Sequence, residues 1–241
     1  MKIYCLGDLH LSGSPPQKPM DIFGEEWRNH PEKIKSNWQK IIKDEDLVIV
    51  CGDISWGMTI KKAAVDLEWL AALPGRKLLC RGNHDYWWSS VTKLRSQFPN
   101  LTFIQNDYVL LGDLAICASR GWKVPSNPEF KPEDEKIYLR ELVRLGLGLD
   151  AAMKAGAKEI LVALHFPPVF HAEESNGYTE LFSKYPIHQV VFGHIHGEKN
   201  IAVFEGEKEG ISYKLCSADT QGFTPVFIRD YLTKKSDECI M

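Results

Sequence analysis

Five short blocks of this 241-residue chain hold the side chains best suited to chemistry. They are Gly7-Asp8-Leu9-His10, Gly52-Asp53, Arg81-Gly82-Asn83-His84-Asp85, the lone His165, and Gly193-His194-Ile195-His196. Asn83 can offer an oxygen to a hard cation, His84 can bind a metal or move a proton, and Asp85 can orient a neighbour or cap a following helix. Any one block has an ordinary reading, because Asn, Asp and Gly are turn residues and a single histidine is more often a satisfied core or surface residue than a ligand. The set is harder to dismiss. Each block ends its own apolar run, and five of the eight histidines fall in the blocks, leaving out His30, His171 and His188. Collected, Asp8, His10, Asp53, Asn83, His165, His194 and His196 are mixed nitrogen and oxygen donors without thiolate, which favours a catalytic first-row metal site over structural zinc. Seven donors are too many for one tetrahedral ion. They suit two ions with a carboxylate such as Asp53 between them.

The elements that must position these blocks are strands that end at them. Residues 2–6 form the first, and since positions i and i+2 of extended backbone point to one side, Asp8 and His10 are expected to share a cation. Leu47-Val48-Ile49-Val50-Cys51 is apolar throughout, as in a strand covered on both faces, and ends in Gly52-Asp53. Lys77–Cys80 leads to Gly82, expected to leave room beside the main chain for an ion or a phosphate, with a helix starting directly after the turn. Ile160–Leu164 and Gln189–Phe192 end at His165 and Gly193. Helical periodicity predicts helices over 31–43 and 60–72, and a third from Pro132 through Leu149. Two successive strand-helix-strand units imply a parallel sheet with functional loops at the carboxyl ends of its strands. Short strands at 101–104, 108–111 and 114–118 read as a hairpin-bearing part of a mixed sheet, and runs at 201–204, 211–215 and 226–228 as strands completing a second sheet. The segments Leu11–Glu26 and Trp122–Pro132 are expected to wall the site. With no repeat and no linker, the chain reads as one domain over residues 1–241.

Composition narrows the classes. A hydrophobic share of 44% and a charged share of 25% are those of a soluble globule, and a net charge of -3 gives no case for wrapping nucleic acid. The apolar run at the N-terminus is too short for a signal peptide or membrane span, so a cytoplasmic protein without membrane or protein partner is expected. The six cysteines form no close Cys-x-x-Cys pair, and Cys5, Cys51, Cys80 and Cys117 lie inside predicted strands as expected of buried free thiols.

In order, the blocks read D-x-H, G-D, G-N-H-D, a lone H and G-H-x-H, spanning residues 7–196. This pattern resembles the calcineurin-like metallophosphoesterases. The resemblance implies an α/β (α+β) fold, a four-layer αββα sandwich of two mixed sheets flanked by helices. It makes Asp8, His10 and His196 ligands of one ion and Asn83, His165 and His194 ligands of the other, with Asp53 bridging and His84 as the catalytic histidine beside the substrate phosphate. It further implies two transition-metal ions, with manganese expected first and iron or zinc as alternatives. One departure bears on substrate: the phosphoprotein phosphatases of this superfamily carry G-D-x-V-D-R-G, whereas this chain reads Gly52-Asp53-Ile54-Ser55-Trp56-Gly57. The second Asp and the Arg are missing, and Leu11 replaces the glycine after His10.

The expectation is therefore a metal-dependent phosphoesterase acting on a small phosphodiester or phosphomonoester. A nuclease, or a binding scaffold of the same fold without chemistry, are the alternatives, and retention of His84 beside all seven donors argues against the scaffold. Arg81, Arg120 and His171 are candidates for substrate contact, each with a structural or surface role equally open to it. Trp56, Trp87, Trp88, Trp122, Phe166 and Phe170 either form an aromatic rim that stacks on a ring of the substrate or pack beneath the loops.

Overall fold

The computed structural model describes residues 1–197 and 203–231. The first sheet holds β1 (Lys2–Cys5), β2 (Leu47–Val50), β3 (Arg76–Cys80) and β4 (Thr102–Ile104), all parallel, with β11 (Val226–Asp230) antiparallel on the free side of β1. The second has the order β5 (Asp107–Leu111), β6 (Leu114–Ser119), β7 (Glu159–Leu164), β8 (Ile187–Phe192), β10 (Ile211–Leu215), β9 (Gly206–Lys208), with a parallel centre and antiparallel edges.

Period-two alternation sorts the strands' apolar side chains into layers. Ile3, Cys5, Leu47, Ile49, Leu78 and Cys80 point inward and meet Ile116, Ala118, Leu161, Ala163 and Val191 of the second sheet. Their neighbours Tyr4, Val48, Val50 and Leu79 point outward, against α1 (His30–Ile41), α2 (Ile60–Ala71) and α3 (Val91–Gln97) through Ile34, Trp38, Leu67, Leu70 and Leu94. On the far side Ala115, Cys117, Ile160, Val162, Val190 and Phe192 take the faces of α4 (Pro132–Lys154) and α5 (Gly177–Phe182). The result is the expected sandwich of two mixed sheets between helices. Each fully buried Leu such as Leu67 or Leu70 contributes roughly 1.5–3 kcal/mol to it.

Several placements differ from the sequence reading. The run at 101–104, read together with the hairpin strands, is β4 of the first sheet, whereas the hairpin β5–β6 lies in the second. The run at 226–228 joins the first sheet, because an apolar stretch states its burial and not its partner. No helix follows the turn at Gly82 at once: residues 86–87 form a turn, residues 88–90 are irregular, and α3 begins at Val91. Of the run 201–204, Ile201 and Ala202 lie outside the described residues, while Val203 and Phe204 are not in a strand. The five described cysteines are free and buried, Cys5, Cys51 and Cys80 in the layer between the sheets. Among the described residues no helix is long and apolar enough to cross a membrane.

Candidate metal centre

The loops leaving β1, β2, β3, β7 and β8 converge at the carboxyl edge of the two sheets and bring all seven donors together. Backbone bonds first lock the loops. Asp8 N donates to Gly52 O and His10 N to Asp53 O, both at 2.9 Å, so the first two loops continue the sheet ladder side by side. Asp85 joins the second loop to the third: its carboxylate accepts from Gly82 N (2.8 Å), Asp53 N (3.0 Å) and Ile54 N (2.9 Å) and from the Trp87 indole (3.1 Å). Of the two roles open to Asp85 in the sequence, orienting a neighbour is the one found.

The backbone bends sharply to aim these side chains. Asp8 (φ 58°), His10 (φ 45°), Asp53 (φ 50°) and His194 (φ 73°) all occupy the left-handed region, which costs a non-glycine residue on the order of 1 kcal/mol or more. Asp8 and His10 therefore converge through turn geometry, and not through the strand alternation that the sequence suggests. The glycines serve close approach: a Cβ on Gly82 would collide with the Asp53 carboxylate, and one on Gly193 with Asp8 Oδ2. The room beside Gly82 is thus filled by Asp53 rather than left for a phosphate.

Two groups of donors result. Asp8, His10 and His196 each offer an atom within 4.8 Å of the others, and so do Asp8, Asp53 and His165. His10 Nε2 and His196 Nε2 are 3.2 Å apart, and His10 Nε2 lies 3.9 Å from Asp53 Oδ2. His165 Nε2 is 3.5 Å from the same Oδ2, 2.6 Å from Asn83 Oδ1 and 3.2 Å from His194 Nδ1. The ring nitrogens facing away are held, His165 Nδ1 by Cys51 O at 2.9 Å and His196 Nδ1 by Asp219 Oδ1 at 2.9 Å. A histidine fixed through one nitrogen by a carboxylate or carbonyl presents the other to a metal.

Charge and burial fit a cation. Asp8 Oδ1 is fully buried and has no hydrogen-bond partner among the described residues, although ring nitrogens of His165 and His196 lie 3.7 and 3.8 Å from it. Burial pushes the Asp8 carboxyl up to about 7, against the charge of His196 and with that of Asp53 adding to it, and burial pushes Asp53 up to about 6. Burial lowers His10 and His194 well below the usual imidazole range and His165 to about 3, so each is neutral and able to ligate. At His196 burial works in the same direction, but the Asp219 hydrogen bond and the charges of Asp8, Asp219 and Asp53 outweigh it and raise the group to about 9.

His84 stands at the rim. Its backbone N–H donates to Asp53 Oδ1 at 2.8 Å, its ring centre is 6.0 Å from that of His10 and 4.5 Å from that of Trp56, and burial lowers its pKa. The other candidates divide. Arg120 is engaged, with Nη2 3.6 Å from Glu141 Oε1 and its guanidinium 4.5 Å from the Trp122 ring centre. Arg81 is half-buried with its Nε unpartnered, and the His171 side chain is exposed. Trp87, Trp88, Phe166 and Phe170 are buried as packing, whereas Trp56 borders an open cavity.

A family model described as calcineurin-like phosphoesterase matches residues 1–198, the stretch that holds every one of these donors. The chain belongs to the calcineurin-like phosphoesterases. This phosphoesterase is 36% identical over 84 residues to the Gene 66 protein of Mycobacterium phage D29, a match spanning 34% of this chain and 40% of that protein. Its fold is similar to that of TT1561 of Thermus thermophilus (TM-score 0.57, 11% identity, 94% of this chain and 97% of that one). It is also similar to the calcineurin-like phosphoesterase YfkN of Bacillus subtilis (TM-score 0.55, 13% identity, 91% and 82%).

The sequence reading missed Asp219. Its signal was present, since Ile211–Leu215 is one more apolar strand and Asp219 follows it closely, as Asp8 follows β1.

Proposed function

We propose that this phosphoesterase hydrolyses small phosphodiesters at a centre of two divalent transition-metal ions, manganese first among them. The observation that supports the reading is the convergence of two donor groups that share Asp8: His10 and His196 beside it in one, Asp53 and His165 in the other with Asn83 and His194 against His165, and an Asp8 oxygen that is buried and unpartnered among the described residues. Asp8, His10 and His196 would hold one ion, Asn83, His165 and His194 the other, and Asp53 both. When bound, the ions supply Lewis acidity and a water acidic enough to ionise near neutral pH.

The protein's own groups do the rest. Asp219 and Cys51 O would each hold the Nδ1 of His196 and His165 and so orient the Nε2 of each ring toward an ion. His84, whose pKa burial lowers, would donate a hydrogen bond to the departing ester oxygen. Substrate preference follows from the missing clamp. A phosphomonoester dianion is best gripped by paired guanidinium bonds, yet the protein-phosphatase Arg is absent and Arg120 is committed to Glu141. A diester carries one charge less and depends less on such a grip. Arg81, with a free Nε, is the remaining candidate for phosphate contact.

The test compares kcat/KM for bis(p-nitrophenyl) phosphate, p-nitrophenyl phosphate and a phosphoserine peptide under one metal condition. The diester is expected to be turned over fastest, and chelation is expected to abolish activity. A phosphopeptide turned over fastest, or full activity after exhaustive chelation, overturns the proposal.

A further inference from the structure

Beside His84 opens a cavity of about 750 Å³ whose lining includes Lys18, Phe23, Trp56, Lys62 and Tyr86. Its size is that of pockets that enclose small organic ligands. Three features set it apart from an incidental surface hollow. Its aromatic side chains are left open, Phe23 being 59% and Tyr86 54% exposed, although rings of this size are ordinarily withdrawn from water. Its cations lack a counter-charge: among the described residues neither Lys18 nor Lys62 has an ion-pair partner, and the Lys18 ammonium rests on a ring instead, 3.0 Å from the centre of Trp56. Its one acid is spent. Asp66 is buried and accepts from Gly13 N at 2.8 Å and from Ser55 Oγ at 2.5 Å, and among the described residues it forms an ion pair with neither lysine.

The wall is fixed in place rather than draped. Leu11 N donates to Ile54 O and Trp56 N to Leu11 O, joining the Pro-rich segment to the Asp53 loop, and the Asp66 bond to Gly13 adds a second tie from α2. Ser12 then closes a turn around Lys18, its hydroxyl donating to Lys18 O at 2.9 Å. The cavity adjoins the donor cluster through Trp56, whose ring lies nearly parallel to that of His10 with centres 4.9 Å apart, and through His84.

Resting on the phosphodiesterase reading above, we infer that this cavity binds the departing group of the substrate, and that this group is a planar aromatic ring bearing a negative charge beyond the scissile ester. The rings of Phe23, Trp56 and Tyr86 offer faces for stacking. Lys18 exchanges its contact with Trp56 for the added anion, with Lys62 at the same wall. His84, which borders both cavity and cluster, marks the ester oxygen on this side as the one that leaves. Hydrolysis breaks the phosphorus–oxygen bond on the cavity side. Water supplies the oxygen that stays on phosphorus and the proton the departing oxygen takes up.

The test is calorimetric binding to the metal-loaded full-length protein, which requires no turnover. The probes are 3-hydroxybenzoate, phenol, which lacks the charge, and 3-hydroxycyclohexanecarboxylate, which lacks the ring. The first is expected to bind at least about tenfold more tightly than either of the others, the scale of one lost contact of this kind. Lys18→Met should bring 3-hydroxybenzoate down to the level of phenol, and the pair Phe23→Ser and Tyr86→Ser should bring it to that of the saturated acid. All three positions are at least partly open to solvent, so unchanged melting temperatures are expected and serve to check folding. Equal binding of the three probes, or indifference to Lys18→Met, overturns the inference. The two readings fail separately: a phosphoester panel without turnover alongside intact ring and charge preference removes the phosphodiesterase reading and supports the binding site, whereas turnover without that preference removes the site alone.

Discussion

Each flank of the donor cluster carries a cation on a tryptophan, Lys18 on Trp56 at 3.0 Å and Arg120 on Trp122 at 4.5 Å. Beyond that shared pair the flanks part. Arg120 also meets Glu141, Trp122 donates from its indole to Asp134 Oδ1 at 2.8 Å, and Phe166 packs beneath His194 with ring centres 4.1 Å apart. Glu141 is itself buried and shared with Ser119 and Arg144, at 3.1 and 2.7 Å. On the Trp56 flank the comparable groups face a cavity with their charges unpaired. The same residue types thus build a brace on one side and an open wall on the other. What separates them is whether the surrounding chain supplies a counter-charge.

Between the flanks, the cluster itself should respond most strongly. Asp53→Asn is expected to lose both ions and with them all activity, because a shared carboxylate loses its charge. His84→Ala should keep both ions and lower kcat by about a hundredfold or more. Elemental analysis alongside kinetics separates the two, and equal metal contents would dissolve the distinction between donor and rim. Next in size, Asp219→Ala should weaken the ion on the His10 side on the order of 10–100-fold, as loss of a ligand's hydrogen-bond partner does, and leave the His165 side unchanged. Titration with manganese monitored by calorimetry reads this as one weakened site and one normal one.

The contrast of flanks is sharpened by a smaller effect on stability. Glu141→Gln should cost roughly 1–3 kcal/mol in urea unfolding, since a buried charged network loses a partner, and Phe23→Ser should stay within about 0.5 kcal/mol. A Phe23 variant as destabilised as the Glu141 variant would make the open wall a brace as well.

Much of this was legible in the sequence because the chemistry is local to strand ends. Each donor follows an apolar run by a few residues, so strand and ligand announce one another. The strand order was less accessible: Val226–Asp230 is as apolar as a second-sheet strand would be, and only packing decides that it pairs with β1. Backbone strain at Asp8, His10, Asp53 and His194 leaves only a faint trace, because Asp and His are enriched among non-glycine residues at positive φ yet far more often sit in ordinary backbone. The cavity was invisible for a third reason. Lys18, Phe23, Trp56 and Tyr86 come from three separate loops, and neither their exposure nor the absence of a counter-charge can be read from spacing.

The account stands or falls on the pair of ions divided by Asp53. Crystals grown with manganese and recorded near its absorption edge should give two anomalous peaks per chain, one against Asp8, His10 and His196 and one against Asn83, His165 and His194, with the Asp53 carboxylate facing both. A single peak, or two peaks that Asp53 does not face, would contradict it.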